Sequence, residues 1–165
     1  MLKPRTHLLK LGERLVPLVA ARTPFTLQRI ALERSLNQVF AAPLSDDAFE
    51  ALEGKWMRLE VVDLKLAWCM SCDRKRLRIA EQAPVQVTIR GNWREFLLLA
   101  SRREDPDTLF FRRRLVIEGD TELGLAIKNL IDSLDPDLLP PWLWKMLQGA
   151  GEDVALASRA QPRGV

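Results

Sequence analysis

The sequence predicts an α+β domain in which a mostly antiparallel sheet of about five strands is covered by helices. Three observations support this fold class. Between residues 56 and 90 apolar residues recur at every second position, as in strands with one buried face. On both sides of that region they recur at every third or fourth position, as in helices that bury one face. Short polar turns separate the predicted strands, which favours consecutive antiparallel pairing.

Length and charge limit the kind of protein. The chain has 165 residues, the size of one domain with attached termini, which buries roughly 68–70% of the surface that the unfolded chain exposes. Its net charge is +3, but residues 1–40 hold seven Lys or Arg against two Glu, so this part carries +5 and the remainder −2. A basic N-terminal part predicts an anionic partner, either a membrane surface or a nucleic acid.

Residues 1–22 predict an amphipathic helix, with Pro17 expected to kink or end it. One face carries Leu8, Leu11, Leu15, Leu18 and Val19, and Lys10 and Arg14 lie off that face. Two placements follow. The helix docks its apolar face on the body of the protein, or it lies in the headgroup region of an anionic membrane. The second placement predicts membrane contacts by Lys3, Arg5, Leu8, Lys10, Leu11, Arg14, Leu15 and Leu18.

The N-terminal segment is not expected to be an export signal, because Lys10, Glu13 and Arg14 interrupt its apolar core. No apolar run in the sequence reaches the length of a transmembrane helix. We therefore expect a cytoplasmic protein with reduced cysteines. Peripheral contact with the inner membrane is expected if the N-terminal helix binds lipid.

Two helices and four strands are predicted next. Thr23 and Pro24 match the N-cap and first residue of a helix, and Ser45 matches the cap of a shorter helix that ends before Gly54. Period-two alternation predicts strands over residues 56–61, 64–72, 76–79 and 85–90. A capping-box pattern at Asn92 and Glu95 then opens a helix with Trp93, Phe96, Leu97 and Ala100 on its inner side.

Residues 107–134 are predicted to organise the rest of the fold. The segment 110–117 predicts a strand with large apolar residues on both sides, which is typical of a strand covered from more than one direction. Gly119 permits a sharp turn, and Asp120 can cap a following helix. That helix carries one apolar stripe that ends before Pro136 and is formed by Leu123, Ala126, Ile127, Leu130, Ile131 and Leu134.

The C-terminal part predicts a short helix and a tail. Pro140 and Pro141 can start a helix that either closes the core or places Trp142 and Trp144 at a membrane interface. Residues 149–165 are rich in Gly, Ala and polar groups, so they predict a flexible tail.

The residues do not indicate a catalytic set or a cofactor site. Cys69 and Cys72 form one CxxC without the further ligands of a zinc site, and they end a predicted strand rather than begin a helix, as a redox motif requires. With one His and no GxSxG motif, a Ser-His-Asp hydrolase has no support. The runs Arg74–Arg78 and Arg112–Arg114 can contact phosphate, although a solvated sheet face is the commoner reason for such patterns.

Three stretches resemble the sterol carrier protein 2 (SCP2) lipid-binding domain. The run DPDTLFFRRRLVIEGDTELGLAIKNLIDSL is similar to its C-terminal half, where a strand ending in Gly-Asp leads into an apolar helix beside a lipid cavity. The segments TPFTLQRIALERSLNQVF and LEGKWMRLEVVDLKL resemble the same family. More closely, the chain resembles the SCP2-domain accessory factors of oxygen-independent ubiquinone biosynthesis. We accordingly expect an N-terminal helix over 1–22, an SCP2-like domain over 23–148 and a tail over 149–165.

The resemblance implies a binding role without catalysis or a cofactor. A hydrophobic cavity between sheet and helices would hold polyprenyl quinone intermediates, or a phospholipid, for the UbiU–UbiV hydroxylase and other ubiquinone biosynthesis proteins. An anionic membrane surface is a further expected partner, and a homodimer is compatible with the sequence. The alternative is a nucleic-acid-binding module that uses the Arg-rich strands. The residues expected to line the cavity are Phe96, Leu97, Phe110, Phe111, Leu115, Ile117, Leu123, Ile127, Leu130 and Ile131, with Trp142 at the mouth.

Overall fold

The structure is a computed structural model that describes residues 4–160, with the side chains of residues 4–9, 158 and 160 outside the described part. Within it, the helices are α1 (Pro4–Arg22), α2 (Phe25–Val39), α3 (Ala41–Ser45), α4 (Trp93–Ala100), α5 (Pro106–Phe111), α6 (Thr121–Ser133) and α7 (Pro141–Ala160). The strands are β1 (Trp56–Val61), β2 (Leu66–Asp73), β3 (Arg76–Ala80), β4 (Val87–Gly91) and β5 (Leu115–Gly119). Short 3₁₀ turns occupy Glu50–Leu52 and Pro136–Leu138.

The strands form a sheet with the order β3-β2-β1-β4-β5. Strands β1, β2 and β3 pair antiparallel in succession, and β4 pairs antiparallel with β5. The predicted α+β class with a mostly antiparallel sheet is therefore confirmed. The prediction that consecutive strands pair is wrong at one place. Strand β4 pairs in parallel with β1 and not with β3. Gln86 holds this arrangement, since its N–H donates to the Trp56 carbonyl oxygen at 2.9 Å and its Oε1 accepts from the Trp56 N–H at 2.6 Å.

The core lies on one face of the sheet. Its buried residues come from the sheet, from α6 and from the α3–β1 connection, and they are Leu44, Phe49, Leu52, Met57, Cys72, Leu77, Val87, Ile89, Leu123, Ile127 and Leu130. The opposite face carries charged side chains. Glu60 lies between Arg58 and Arg90 at 3.6 and 3.4 Å, and Arg90 reaches Glu118 at 3.3 Å. Alternation along the strands thus separates an apolar face from an ionic one.

The strand predicted over residues 110–117 is wrong in its first half. Residues 106–111 form helix α5, because the Asp105 carboxylate accepts a hydrogen bond from the Thr108 N–H at 3.0 Å and Pro106 supplies the first helical residue. Only Leu115–Gly119 is a strand, and it lies at the edge of the sheet rather than inside it. The large residues on both sides of the predicted strand therefore belong to two different elements.

The turn after β5 follows the prediction. Gly119 has a φ of +109°, and a Cβ there would lie 2.3 Å from the Gln86 carbonyl oxygen, so no other residue fits without a shift. The Asp120 carboxylate accepts from the Leu123 N–H at 2.8 Å and caps α6. This cap starts α6 directly beside the edge strand.

Several predicted helix ends differ from the structure. Pro17 lies inside α1 and does not end it. Thr23 was expected to cap α2, but its hydroxyl donates to the Val19 carbonyl oxygen at 2.8 Å and so completes the end of α1. Ser45 is the last residue of α3 rather than a cap, and its hydroxyl donates to the Ala41 carbonyl oxygen at 3.0 Å.

The capping box predicted for α4 does not form. Asn92 stands at the N-cap, but its side chain makes no cap hydrogen bond. The Asp63 carboxylate, from the β1–β2 turn, accepts from the Trp93 N–H at 3.0 Å instead. Glu95 pairs with Arg114 at 2.5 Å. A long-range contact has therefore replaced the local one that the pattern indicates.

Helix α7 is longer than predicted. It continues through residues 149–160, for which the sequence predicts a frayed tail, and residues 161–165 lie outside the described part. Gly151 and Val154 of this helix are buried. A Cβ at Gly151 would lie 2.2 Å from the Ser101 Oγ. The helix extends because its small and apolar residues pack on the end of α4, a contact that composition does not reveal.

Candidate functional site

A groove runs along the outer edge of β5 and has a volume of about 570 Å³. We call it the β5–α6 groove. Its walls combine apolar side chains with the basic Arg113 and Lys128. The complete lining is Phe110, Arg113, Leu115, Val116, Ile117, Gly119, Thr121, Gly124, Leu125 and Lys128. Such a surface can accept a ligand that has both an apolar body and a polar or anionic group.

Two contacts set the shape of this groove. Gly124 lets α6 approach β5 closely, since a Cβ there would lie 2.6 Å from the Ile117 Cγ2. Lys128 forms an ion pair with Asp107 of α5, and this carboxylate raises the pKa of Lys128 above its ordinary value. The ion pair links α5 to α6.

A second pocket, the α4–α7 pocket, lies between α4, the end of α6 and α7 and has a volume of about 250 Å³. Its lining is mostly apolar and consists of Phe40, Leu99, Ala100, Arg102, Ile131, Leu134, Asp135, Pro136, Leu138, Leu139, Trp144 and Leu147. The Arg102 guanidinium donates to the carbonyl oxygens of Ile131, at 2.9 Å, and Leu134. Because these bonds satisfy the end of α6, the remaining lining offers a ligand mainly hydrocarbon contact.

One apolar cluster separates the groove from the pocket, and we call it the dividing cluster. It consists of the buried Leu99, Leu109 and Leu115 with the partly buried Phe96, Phe110 and Ile131. Leu115 and Phe110 also line the groove, whereas Leu99 and Ile131 also line the pocket. Only one or two side chains thus separate the β5–α6 groove from the α4–α7 pocket.

The residues expected to line a single cavity are distributed over several places. Phe110, Leu115 and Ile117 line the groove, Ile131 lines the pocket, and Phe96 belongs to the dividing cluster. Leu123, Ile127 and Leu130 lie in the core against the sheet.

Three other expected lining residues lie outside both spaces. Leu97 is half-buried, because α4 buries Leu98 and Leu99 instead, and Ala100 is exposed. Phe111 is 91% exposed and Trp142 is 67% exposed. The tryptophan that reaches the α4–α7 pocket is Trp144.

Sequence reasoning missed much of the actual lining. In the groove it missed Val116, Leu125 and Lys128, which lie on the edge strand and on the flank of α6. In the pocket it missed Phe40 and seven lining residues between positions 134 and 147. The helical spacing of Trp144 and Leu147 was a usable signal for one of these faces. The position of Phe40 beside them was not visible in any local pattern.

Helix α1 docks by its polar side. The Glu13 carboxylate accepts from the Trp93 Nε1–H at 3.1 Å and pairs with Arg94 at 2.9 Å. Leu11 and Leu15 lie two positions before and after Glu13, so they point away from this contact. Both are about half exposed, and so is Leu18. Helix α1 therefore does not dock its leucine face on the body of the protein, which was the first of the two predicted placements.

The exposed leucine face of α1 lies beside the basic Lys10 and Arg14, which are also exposed. Of the other predicted membrane contacts, Lys3 lies outside the described residues, and the side chains of Arg5 and Leu8 are not described. No helix of the described residues is both long enough and apolar enough to cross a membrane.

The two cysteines lie buried on β2 as free thiols. Burial, followed by the nearby Glu53 carboxylate, raises the pKa of the Cys72 thiol to about 11. A thiol with such a pKa is a poor nucleophile and a poor metal ligand at neutral pH. Among the described residues, no group of three or more His, Cys, Asp or Glu side chains is placed to hold a metal ion.

The Arg-rich run 112–114 is divided by the structure. Arg114 is partly buried and pairs with Glu95 and Glu104 at 2.5 and 2.6 Å, so its charge is neutralised. Arg112 and Arg113 are exposed. The structure therefore leaves two of these three arginines to face an external ligand.

Comparisons with known proteins agree with this fold. Residues 33–132 match the SCP-2 sterol transfer family. The chain belongs to this SCP2 family. The matched range runs from α2 to the last turn of α6, so it includes the β5–α6 groove, whereas α1 and α7 lie outside it. The α4–α7 pocket is therefore formed partly by residues beyond the family match.

Relatives of known name extend the likeness beyond the SCP2 domain. The chain is 39% identical, over 97% of its length, to the ubiquinone biosynthesis accessory factor UbiT of Escherichia coli strain K12, and the match covers 92% of that protein. UbiT of Escherichia coli O157:H7 matches equally. Among solved structures, the UbiJ-SCP2 ubiquinone synthesis protein superimposes with a TM-score of 0.53, at 20% identity, over 66% of this chain and 97% of that one. That superposition supports the SCP2 fold.

Proposed function

We propose that this protein is a non-catalytic lipid-binding accessory factor of ubiquinone biosynthesis. In this role it holds a polyprenylated quinone precursor, or a membrane phospholipid, while pathway enzymes modify or receive it. The observation that carries the proposal is the pair of adjacent spaces, one amphipathic and one apolar, in an SCP2-family chain. The 39% identity to UbiT along 97% of the chain supplies the pathway.

The two spaces suit different parts of such a ligand. The α4–α7 pocket, with its mostly apolar lining, receives hydrocarbon, and each CH₂ removed from water contributes about 0.8 kcal/mol. The β5–α6 groove offers Thr121 and Arg113 to a polar head, whereas Lys128 is already paired with Asp107. A lipid tail that occupies both the groove and the pocket must displace part of the dividing cluster. Phe110 is only partly buried in that cluster. Ligand uptake thus involves repacking of this aromatic side chain.

The proposed ligand also suggests partners for this protein. A carrier of this kind serves enzymes that act on the aromatic head, and we assign the UbiU–UbiV hydroxylase of the oxygen-independent pathway to this position. The ligand originates in a bilayer, so the protein must also visit a membrane. The exposed leucine face of α1, with Lys10 and Arg14 beside it, is suited to an anionic surface. We therefore propose peripheral binding at the inner membrane.

Native mass spectrometry of the purified protein, with extraction of its lipids, tests the carrier role. We expect a stoichiometric polyprenyl quinone intermediate or phospholipid. Ala100→Phe fills the α4–α7 pocket from an exposed position that lines it, so the bound lipid should fall about tenfold or more. Ala157→Phe, on an exposed turn of α7 that does not line the pocket, is the matched control.

Two results would contradict the proposal. One is the absence of lipid in the extract together with no uptake of added prenylphenols. The other is equal lipid content in Ala100→Phe and Ala157→Phe, which would exclude the α4–α7 pocket. RNA binding by the purified protein that charge reversal at Arg112 and Arg113 abolishes would favour the nucleic-acid alternative instead.

A further inference from the structure

The two edges of the sheet are finished differently. At the β3 edge, side chains of α2 bond to the strand backbone: Asn37 bonds to Leu77, and Glu33 Oε1 accepts from the Ile79 N–H at 2.8 Å. Strand β5 forms the other edge, and no further strand within residues 4–160 pairs with it. Edges of this kind are available for pairing with another chain.

The accessible part of the β5 edge is centred on Ile117. The Asp120 N–H donates to the Gln86 carbonyl oxygen, and hydrogen-bonded pairs alternate along an antiparallel ladder. Glu118 therefore pairs with β4 through its backbone, whereas Ile117 directs its N–H and C=O away from β4. The β5–α6 groove runs along this outer side. An approaching strand would enter the groove from its open side.

The flanks of β5 carry opposite charges. Before the strand, Arg112 and Arg113 are exposed. At its other end, Glu118 within the strand, which also pairs with Arg90, and Glu122 after it are exposed. The segment is thus basic at one end and acidic at the other, with its apolar strand between them. An antiparallel copy of the same segment would meet it with the charges matched.

An exposed aromatic ring completes this surface. Phe111 ends α5 beside the two arginines and is 91% exposed. Leu125, on the groove side of α6, is 56% exposed. Large apolar residues beside an unpaired strand edge are typical of an interface, whose core is enriched in aromatic residues.

We propose that β5 pairs antiparallel with β5 of a second copy of this chain, about a two-fold axis beside Ile117. Each basic end then lies next to the acidic end of the other copy. Phe111 of each copy lies against the groove side of the other, near the partner's Leu125. A two-fold interface uses the same patch on both subunits, which a self-complementary segment satisfies without a second surface.

The charge pattern favours a second copy over an anionic surface. A membrane or a nucleic acid would attract Arg112 and Arg113 but repel Glu118 and Glu122 at the other end of the same short segment. The pairing also closes the open side of the β5–α6 groove. That closure would shield a bound lipid only if the groove binds lipid as proposed above, whereas the pairing itself does not depend on lipid binding.

Sedimentation of charge-reversed variants tests the pairing. At tens of micromolar, the wild type should have twice the 18.9 kDa mass of one chain. Arg112→Glu with Arg113→Glu places like charges in contact, as does Glu118→Arg with Glu122→Arg, so each double variant alone should be a monomer. An equimolar mixture of the two should recover the doubled mass, because their ends are again complementary. Arg76→Glu with Arg78→Glu, on the occupied β3 edge, is the control and should stay dimeric.

The outcomes are separable from those for lipid binding, since mass is measured with or without lipid. A monomeric wild type, or double variants that keep the doubled mass, would overturn the pairing. Failure of the mixture to recover the dimer, with both variants folded by circular dichroism, would also overturn it. If the wild type is monomeric and the basic-end variant loses binding to phosphatidylglycerol vesicles, the surface contacts membrane instead.

Discussion

The side chain of Asn37 pairs with the backbone of Leu77 as a neighbouring strand would. Its Oδ1 accepts from the Leu77 N–H at 2.8 Å, and its Nδ2 donates to the Leu77 carbonyl oxygen at 2.9 Å. One amide side chain thus satisfies both backbone groups of an edge residue whose own side chain is buried in the core. The helix that carries Asn37 thereby covers the β3 edge.

Asn37→Leu should destabilise the fold, because both Leu77 backbone groups lose their partner. Leaving buried polar groups without a hydrogen bond costs about 1–3 kcal/mol. Urea unfolding followed by circular dichroism measures this difference. Asn129→Leu, at an exposed position of α6, is the matched control and should change the free energy of unfolding little. Equal effects of the two substitutions would show that the Asn37 contact contributes nothing particular.

Gly149 and Gly151 lie two residues apart in α7 and should respond oppositely to alanine. A Cβ at Gly149 meets nothing within 4 Å, so Gly149→Ala should stabilise the helix by about 0.5–1 kcal/mol. A Cβ at Gly151 would lie 2.2 Å from the Ser101 Oγ, so Gly151→Ala should destabilise by about 1–3 kcal/mol. Thermal melts of both variants measure the contrast. A stabilising Gly151→Ala would mean that α7 does not pack on α4 as described.

The Cys72 thiol should make stability depend on pH above neutrality. Its pKa rises from 9.0 in the unfolded chain to about 11 in the fold, so the folded state holds the proton more tightly. The thiol's contribution to the free energy of unfolding is complete below about pH 9 and is lost as the pH rises toward 11. This loss is on the order of 2 kcal/mol. The measurement is the change in unfolding free energy between pH 8 and 10.5 for wild type and for Cys72→Ala. A variant with the same pH dependence as the wild type would contradict the raised pKa.

Helix α1 should bind anionic vesicles in a salt-sensitive manner. Each Lys or Arg near an anionic surface contributes about 1 kcal/mol, and Leu11, Leu15 and Leu18 add apolar contact. Leu11→Gln with Leu15→Gln should therefore weaken co-sedimentation with phosphatidylglycerol vesicles, while Leu156→Gln on α7 should not. Deleting residues 1–20 should have the larger effect. Equal binding by full-length and truncated protein at low salt would exclude α1 as the membrane contact.

The sequence by itself determined the elements whose causes are local. Alternation of apolar and polar residues located β1 to β4, because a strand with one buried face imposes that period. Gly119 and Asp120 marked a turn and a cap, since a positive φ and free helix N–H groups demand these residue types. The apolar stripe of α6 indicated its buried face for the same reason.

Only the tertiary structure decided which elements meet. The Gln86 contacts with Trp56 place β4 beside β1, and residues 110–114 leave the sheet because the Asp105 cap forms α5. The candidate site depends on such meetings, since Phe40 and Trp144 line one pocket from distant parts of the chain. A local pattern records whether a side chain is buried, but it does not record the neighbour that buries it. The expected single cavity was therefore resolved into a core, a groove and a pocket only when the helices were placed on the sheet.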